Sequence, residues 1–151
     1  MTSFLPTIIL RHRKENLKKC SLRGLEVRDD LIFFPYPLKR ELPSLDNYIH
    51  LALDAPPLTP EDGQNGLVLL DSTWKYEKQM RKSLPTGMKA RSIPNLYKTA
   101  YPRKQTDCDD PEHGLATVEA LFLAYHLMER DTSGLLDHYY WKDQFLKLTM
   151  L

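Results

Sequence analysis

The segment GLVLLDSTW, residues 66–74, constrains this chain more than any other. LVLL is an unbroken apolar run, as expected of a strand covered on both faces. The run stops on Asp71. Residues 75–82 then carry helical spacing, with Tyr76 and Met80 one turn apart and Glu77 placed to pair with Arg81. Asp71 therefore stands where a buried strand gives way to a helix. In open α/β sheets, ligands bind at that carboxyl edge.

The rest of the chain supplies partners for such a strand. PTIIL (6–10), LIFF (31–34) and YIHLAL (48–53) read as short strands. Pro35 and Pro37 are expected to interrupt regular structure after the second. Thr59 and Pro60 can open a short helix. Residues 84–114 carry several prolines and read mostly as loop, with one short helix or strand at 93–97. TVEALFLAYHLMER (117–130) reads as a helix, with Thr117 suited to the N-cap and Glu119 to the first turn. Ser133 suits the cap of a second helix running to about 148, with Leu136, Tyr139, Tyr140 and Leu146 as its apolar face. Strands mixed with helices in this way predict an α/β fold.

Composition narrows the function classes. The chain has 151 residues, 42% hydrophobic and 27% charged, with 21 Lys+Arg against 20 Asp+Glu. That balance argues against coating nucleic acid by bulk charge, while a local basic patch remains available for steering. Basic residues do cluster, at Arg11, Arg13, Lys14, Lys18 and Lys19, and again from Lys75 to Arg91. Cys20 and Cys108 form no CxxC pair, and the five histidines show no HxxxH or HExxH spacing, so no metal site is expected. No run approaches the roughly 20 apolar residues that span a bilayer. A protein of the cytoplasm, without a membrane, is the expectation. Dinucleotide, P-loop and nucleophile-elbow fingerprints are all missing.

Asp71 leads the candidates for chemistry. A carboxylate after an apolar strand is partly desolvated, which can raise its pKa toward that of a base. It can equally serve as a helix cap. Trp74 can stack on a ligand or fill the core. Glu119 can complete a first-turn charge arrangement or position a polar ligand beside Thr117. Backbone N–H groups at that helix start can receive an anion.

At DSTW the sequence resembles two related groups of the knotted SPOUT-like superfamily, the DTW-domain aminocarboxypropyltransferases and the 18S rRNA aminocarboxypropyltransferase family. RHRKENLKKCS (11–21) resembles the second family's basic stretch ending in KKCS or KKCT. PLTPED (57–62) is similar to its segment with SPED. GLVLLDSTW is similar to its strand ending in DCSW, and fits the DxTW form of the DTW group better. RSIPNL (91–96) resembles RxLPxL, LATVEAL (115–121) resembles LSTVEAL, and LLDHYYWKDQFLKL (135–148) resembles the C-terminal helix. YPRK (101–104) also echoes the DTW group. Three features depart from the pattern: Ala116 replaces the serine before TxEA, 97–103 matches its loop poorly, and 105–114 is long and acidic.

The resemblance implies an α/β, SPOUT-like fold with a C-terminal trefoil knot and a small N-terminal α/β lobe. The lobe would take 1–90 and the knotted part 91–151. It implies S-adenosylmethionine (SAM) as cofactor and transfer of the 3-amino-3-carboxypropyl group to an rRNA or tRNA base, releasing methylthioadenosine. Asp71 and Trp74 would be catalytic. Lys19, Ser21, Leu70, Asp71, Trp74, Leu96, Leu115 and Thr117 would bind the cofactor. Arg11, Arg13, Lys14, Lys18, Lys75, Lys78 and Arg81 would meet RNA phosphates, and the protein would be a monomer without a metal. The other readings are a SPOUT-type RNA methyltransferase and a non-catalytic RNA-binding or ribosome-assembly module.

Overall fold

The structure is a computed structural model that describes residues 5–14, 20–52, 54–72, 74–94, 96–101 and 115–149, without the side chains of 74 and 75. Among the described residues, five strands form one parallel sheet: β1 (Thr7–His12), β2 (Leu31–Tyr36), β3 (Tyr48–Leu51), β4 (Gly66–Asp71) and the two-residue β5 (Ala90–Arg91). Their order is β2-β1-β4-β3-β5. Helices α1 (Trp74–Arg81), α2 (Thr117–Leu127) and α3 (Lys142–Thr149) complete the α/β architecture.

Strand alternation sorts the side chains into two cores. Ile9, Leu67 and Leu69 face α2 and α3 and pack with Val118, Leu121, Phe122 and Phe145. Ile8, Leu10 and Val68 face the other way and pack with Met80 of α1. Both middle strands are covered on both sides, which explains why β1 and β4 read as continuous apolar runs. Each fully buried Leu or Ile contributes about 1.5–3 kcal/mol. Helix α2 is buried around most of its circumference, including Leu121, Leu123 and Ala124 at 0% exposure.

A polar tie crosses this arrangement. The Thr7 hydroxyl and Tyr125 Oη lie 2.6 Å apart, Tyr125 reaches Asp30 Oδ2 at 3.3 Å, and Arg28 grips Asp30 through two bonds of 2.9 and 3.0 Å. Burial pushes Asp30 up, but the Arg28 bonds and charge outweigh it, so its carboxyl sits below its ordinary value. The start of β4 is tightly fitted. A β-carbon on Gly66 would come within 2.4 Å of the Tyr48 ring, whose hydroxyl donates to the Pro6 carbonyl. Gly66→Ala is therefore expected to cost about 2 kcal/mol through overpacking, measurable as a lower urea midpoint.

Several sequence expectations need correcting. β2 runs through Pro35 to Tyr36 because β2 is an edge strand, where a missing N–H is tolerated. Of the short helix or strand expected at 93–97, the described residues form neither, residue 95 lying outside them, and a two-residue strand lies just before, at Ala90–Arg91. The N-cap of α2 is Ala116, and Thr117 is the first helical residue. No helix starts at Ser133. Its N–H and hydroxyl both bond Asp131 Oδ1, at 2.9 and 2.7 Å, and Gly134 takes φ +80, which no helix continues. The last helix is only Lys142–Thr149, and Tyr140 is 83% exposed. The turn at Thr59–Pro60 is as expected, a 3-10 turn over Pro60–Gln64 with Asp62 accepting the Thr59 N–H at 3.0 Å.

Among the described residues, no helix is long and apolar enough to cross a membrane, and no group of three or more metal-ligating side chains gathers.

Candidate active site at the carboxyl edge of the sheet

The chain leaves β1 toward β2 on one side, and leaves β4 across β3 toward β5 on the other. The neighbouring carboxyl ends of β1 and β4 thus form a topological switch point, the crevice where open α/β sheets bind ligands. In register, Arg11 of β1 is paired with Asp71 of β4. Alternation puts both side chains on the α2 face, continuing the rows of Ile9 and of Leu67 and Leu69.

Asp71 is 2% exposed, and its two oxygens collect three donors among the described residues. Thr117 Oγ1 donates to Oδ1 at 2.9 Å. Arg11 Nε and the Cys20 thiol both donate to Oδ2, at 3.1 and 3.2 Å. A carboxylate has about four lone-pair directions, so the donors among the described residues account for three of them. Asp71 is desolvated, as the strand end suggests, and it is also paired, which the strand end alone does not show.

Arg11 is spent on this site. Besides Asp71 it reaches Glu26 Oε2 at 3.4 Å and the Cys20 sulfur at 3.6 Å, and its guanidinium lies 4.5 Å from the Phe33 ring centre. Burial works against its charge, yet Cys20, Asp71 and Glu26 hold its pKa above the ordinary arginine value.

Cys20 is a donor here. Burial first, and then the Asp71 charge, push its thiol up to about 12 from an ordinary 9.0. The thiol is protonated at neutral pH, so it bonds Asp71 and is no nucleophile. Two consequences follow. Native Cys20 should alkylate with iodoacetamide about a thousandfold more slowly than in the unfolded chain at pH 8, read by peptide mapping. Because the folded pKa is the higher one, the thiol's contribution to stability is complete below pH 9 and lost as pH rises toward 12.

The next residue closes the arrangement. Ser21 Oγ accepts the Val118 N–H at 3.1 Å. Ala116 has no side-chain oxygen to cap α2, and Ser21 supplies one from elsewhere in the chain. Ser21→Ala is expected to lower stability by about 1 kcal/mol. Cys20, Ser21 and Thr117 together pin the start of α2 to the ends of β1 and β4.

Glu119, in the first turn of α2, is fully buried. It accepts from Thr99 Oγ1 at 2.6 Å, the N–H groups of Ala100 and Ala116 at 2.8 Å, and Tyr139 Oη at 3.0 Å. Four neutral donors and the positive end of the helix compensate its burial. Its role is structural: it holds three chain segments around α2.

The structure thus brings Asp71, Ser21 and Thr117 together. Leu70 turns to the α1 face with the smaller core. Leu115 is partly buried against the larger core just before α2, and Leu96 is 72% exposed. Trp74 begins α1, and its side chain lies outside the described residues, as do Lys18 and Lys19. The sequence reading missed Cys20 and gave Arg11 to phosphates. Strand period offered the signal for Arg11, since it shares a face with Ile9 and a charge there demands a partner. Arg13, Lys14 and Lys78 are exposed. Arg81 is instead engaged with Glu77, His50 Nδ1 at 3.3 Å and the Leu51 carbonyl at 3.1 Å.

No protein-family model matches the chain, and no curated protein does. Among solved structures it is similar to that of the SAM-dependent rRNA:acp-transferase Tsr3 from Vulcanisaeta distributa, at 22% identity. The match covers 97% of this chain and 79% of that one, with a TM-score of 0.71. At that identity the likeness shows the fold: this chain has the α/β fold of that transferase over nearly its whole length.

Proposed function

We propose that this protein binds SAM at the carboxyl edge between β1 and β4 and transfers its 3-amino-3-carboxypropyl group to an RNA base. The observation that carries this reading is the bonded assembly of Asp71, Arg11, Cys20 and Thr117 at the switch point. It lies on a fold shared with a SAM-dependent rRNA:acp-transferase. The reading includes a trefoil knot in the C-terminal part, an exception to the rule against threaded chains.

The residues suit the amino-acid end of this cofactor. The described donors to Asp71 leave one acceptor direction that an ammonium group would take, and the start of α2 favours a carboxylate. Ser21, Thr117 and, by the resemblance, Lys19 would hold that end. Trp74 would pack beside the arm. Leu70, Leu96 and Leu115 are assigned to the adenosine, Leu70 from the α1 face of β4. When bound, SAM supplies the electrophilic arm carbon and a thioether leaving group. The transfer forms one C–N bond and breaks one C–S bond, the electron pair leaves with sulfur, and the base nitrogen gives up one proton to solvent. Arg11 balances the buried Asp71 charge, and Thr117 fixes the orientation of that carboxylate. Selectivity among three carbons on one sulfur is then a matter of orientation. The acceptor base must be unpaired, since a stacked nitrogen cannot reach a buried arm.

The test is the small product released from SAM when the protein is incubated with total cellular RNA. Methylthioadenosine is expected. S-adenosylhomocysteine would make the protein a methyltransferase. Neither product, with RNA still bound, would make it a binding module.

A further inference from the structure

On the α1 side of the same edge lies a group of rings that the reaction itself does not use. His12, the last residue of β1, follows Arg11 directly and points to the opposite face. Its ring stacks on Tyr76 of α1, with centres 4.1 Å apart and planes 15° apart. Tyr36, its register partner at the end of β2, lies 5.7 Å away. His12 is buried, while Tyr36 and Tyr76 are partly exposed. The Lys14 ammonium lies 5.4 Å from the Tyr76 ring centre. Arg13, Lys14 and Lys78 are exposed, and among the described residues no carboxylate pairs with them.

Rings flanked by exposed cations match single-stranded nucleic acid, whose bases stack and whose phosphates need counter-charge. A duplex offers phosphates but no free base faces. We infer that Tyr76 and Tyr36, with Lys14, Arg13 and Lys78, seat an unpaired stretch of the acceptor RNA beside the Arg11–Asp71 pair. This inference rests on the function proposed above and adds the surface that presents the base. His12 sets the Tyr76 ring in place, and the cations hold the backbone.

The experiment measures binding of the full chain to a fluorescent single-stranded RNA of about twelve nucleotides and to the same sequence as a duplex. Single strand is expected to bind more tightly. Tyr76→Leu should weaken single-strand binding about tenfold, and Tyr76→Phe should retain it. Lys14→Ala should weaken both forms and reduce the salt slope by about one. SAM affinity, by calorimetry, should be the same in all variants. If Tyr76→Leu fails to fold, Tyr36→Leu and Arg13→Ala carry the test. The surface is overturned if these variants bind like wild type, if duplex binds as well as single strand, or if poly-glutamate binds as tightly as RNA. Arm transfer that is indifferent to Tyr76→Leu sinks the surface and leaves the function standing. Binding as expected without arm transfer does the reverse.

Discussion

Replacing Glu119 with alanine is expected to lower folding stability by about 4 kcal/mol. Its carboxylate is the common partner of Thr99, Ala100, Ala116 and Tyr139, all donors. Removing it takes the shared acceptor from four donors, those of Ala116 and Tyr139 on buried residues and those of Thr99 and Ala100 on partly buried ones, and a buried donor left without a partner costs about 1–3 kcal/mol. Water entering the new cavity offsets part of that sum, so the lower figure is the one to expect. Glu119→Gln is the sharper variant. It keeps the shape but turns an NH2 group toward donors, for an expected loss of about 2 kcal/mol. Urea unfolding of the three proteins should rank them wild type, Gln, Ala. A glutamine variant as stable as wild type would contradict the four-donor arrangement.

The second large effect concerns Asp71, where stability and activity separate. Asp71→Ala leaves the Arg11 guanidinium, whose side chain is only 12% exposed, without its main counter-charge. Breaking a buried pair from one side costs about 3 kcal/mol, and Glu26 gives only distant relief. Asp71→Asn behaves differently. Its carbonyl oxygen can take Arg11 and Cys20, and its NH2 can donate to Thr117 Oγ1, which is free to reverse its hydroxyl. Folding stability is then lowered less than in the alanine variant, because the bonds persist although the counter-charge of Arg11 is lost, and the charged acceptor for an ammonium group is gone. Such a bond contributes about 1.5–3 kcal/mol, so KM for SAM should rise roughly ten- to hundredfold. Steady-state kinetics with melting curves reads both. An Asn variant that keeps its KM would show that Asp71 only supports the fold.

Much of this was legible because single segments carry it. LVLL before Asp71 is apolar on both faces, so its place inside a parallel sheet shows in the sequence. TVEALFLAYHL is helical in pattern and nearly all apolar, as its burial demands. Contacts between distant segments were not legible. Ser21 capping the Val118 N–H joins residues far apart in the chain, and no local pattern encodes it. A lone cysteine reads as inert, so only the fold reveals Cys20 as a donor to Asp71. The strand order that makes β1 and β4 neighbours depends on crossovers, which short apolar runs do not specify. The C-terminal error had a local cause. Apolar spacing from 135 to 148 resembles one helix, and Gly134 at φ +80 with the Asp131–Ser133 turn imposes a different path.

The central claim is that this edge presents the aminocarboxypropyl arm of SAM to an RNA base. It is tested most directly with two labelled cofactors, one labelled in that arm and one in the methyl group, each incubated with the protein and total RNA. The account predicts label in RNA from the arm alone, strongly reduced by Asp71→Asn at low SAM. Label arriving from the methyl group would contradict it, and so would RNA left unlabelled by either.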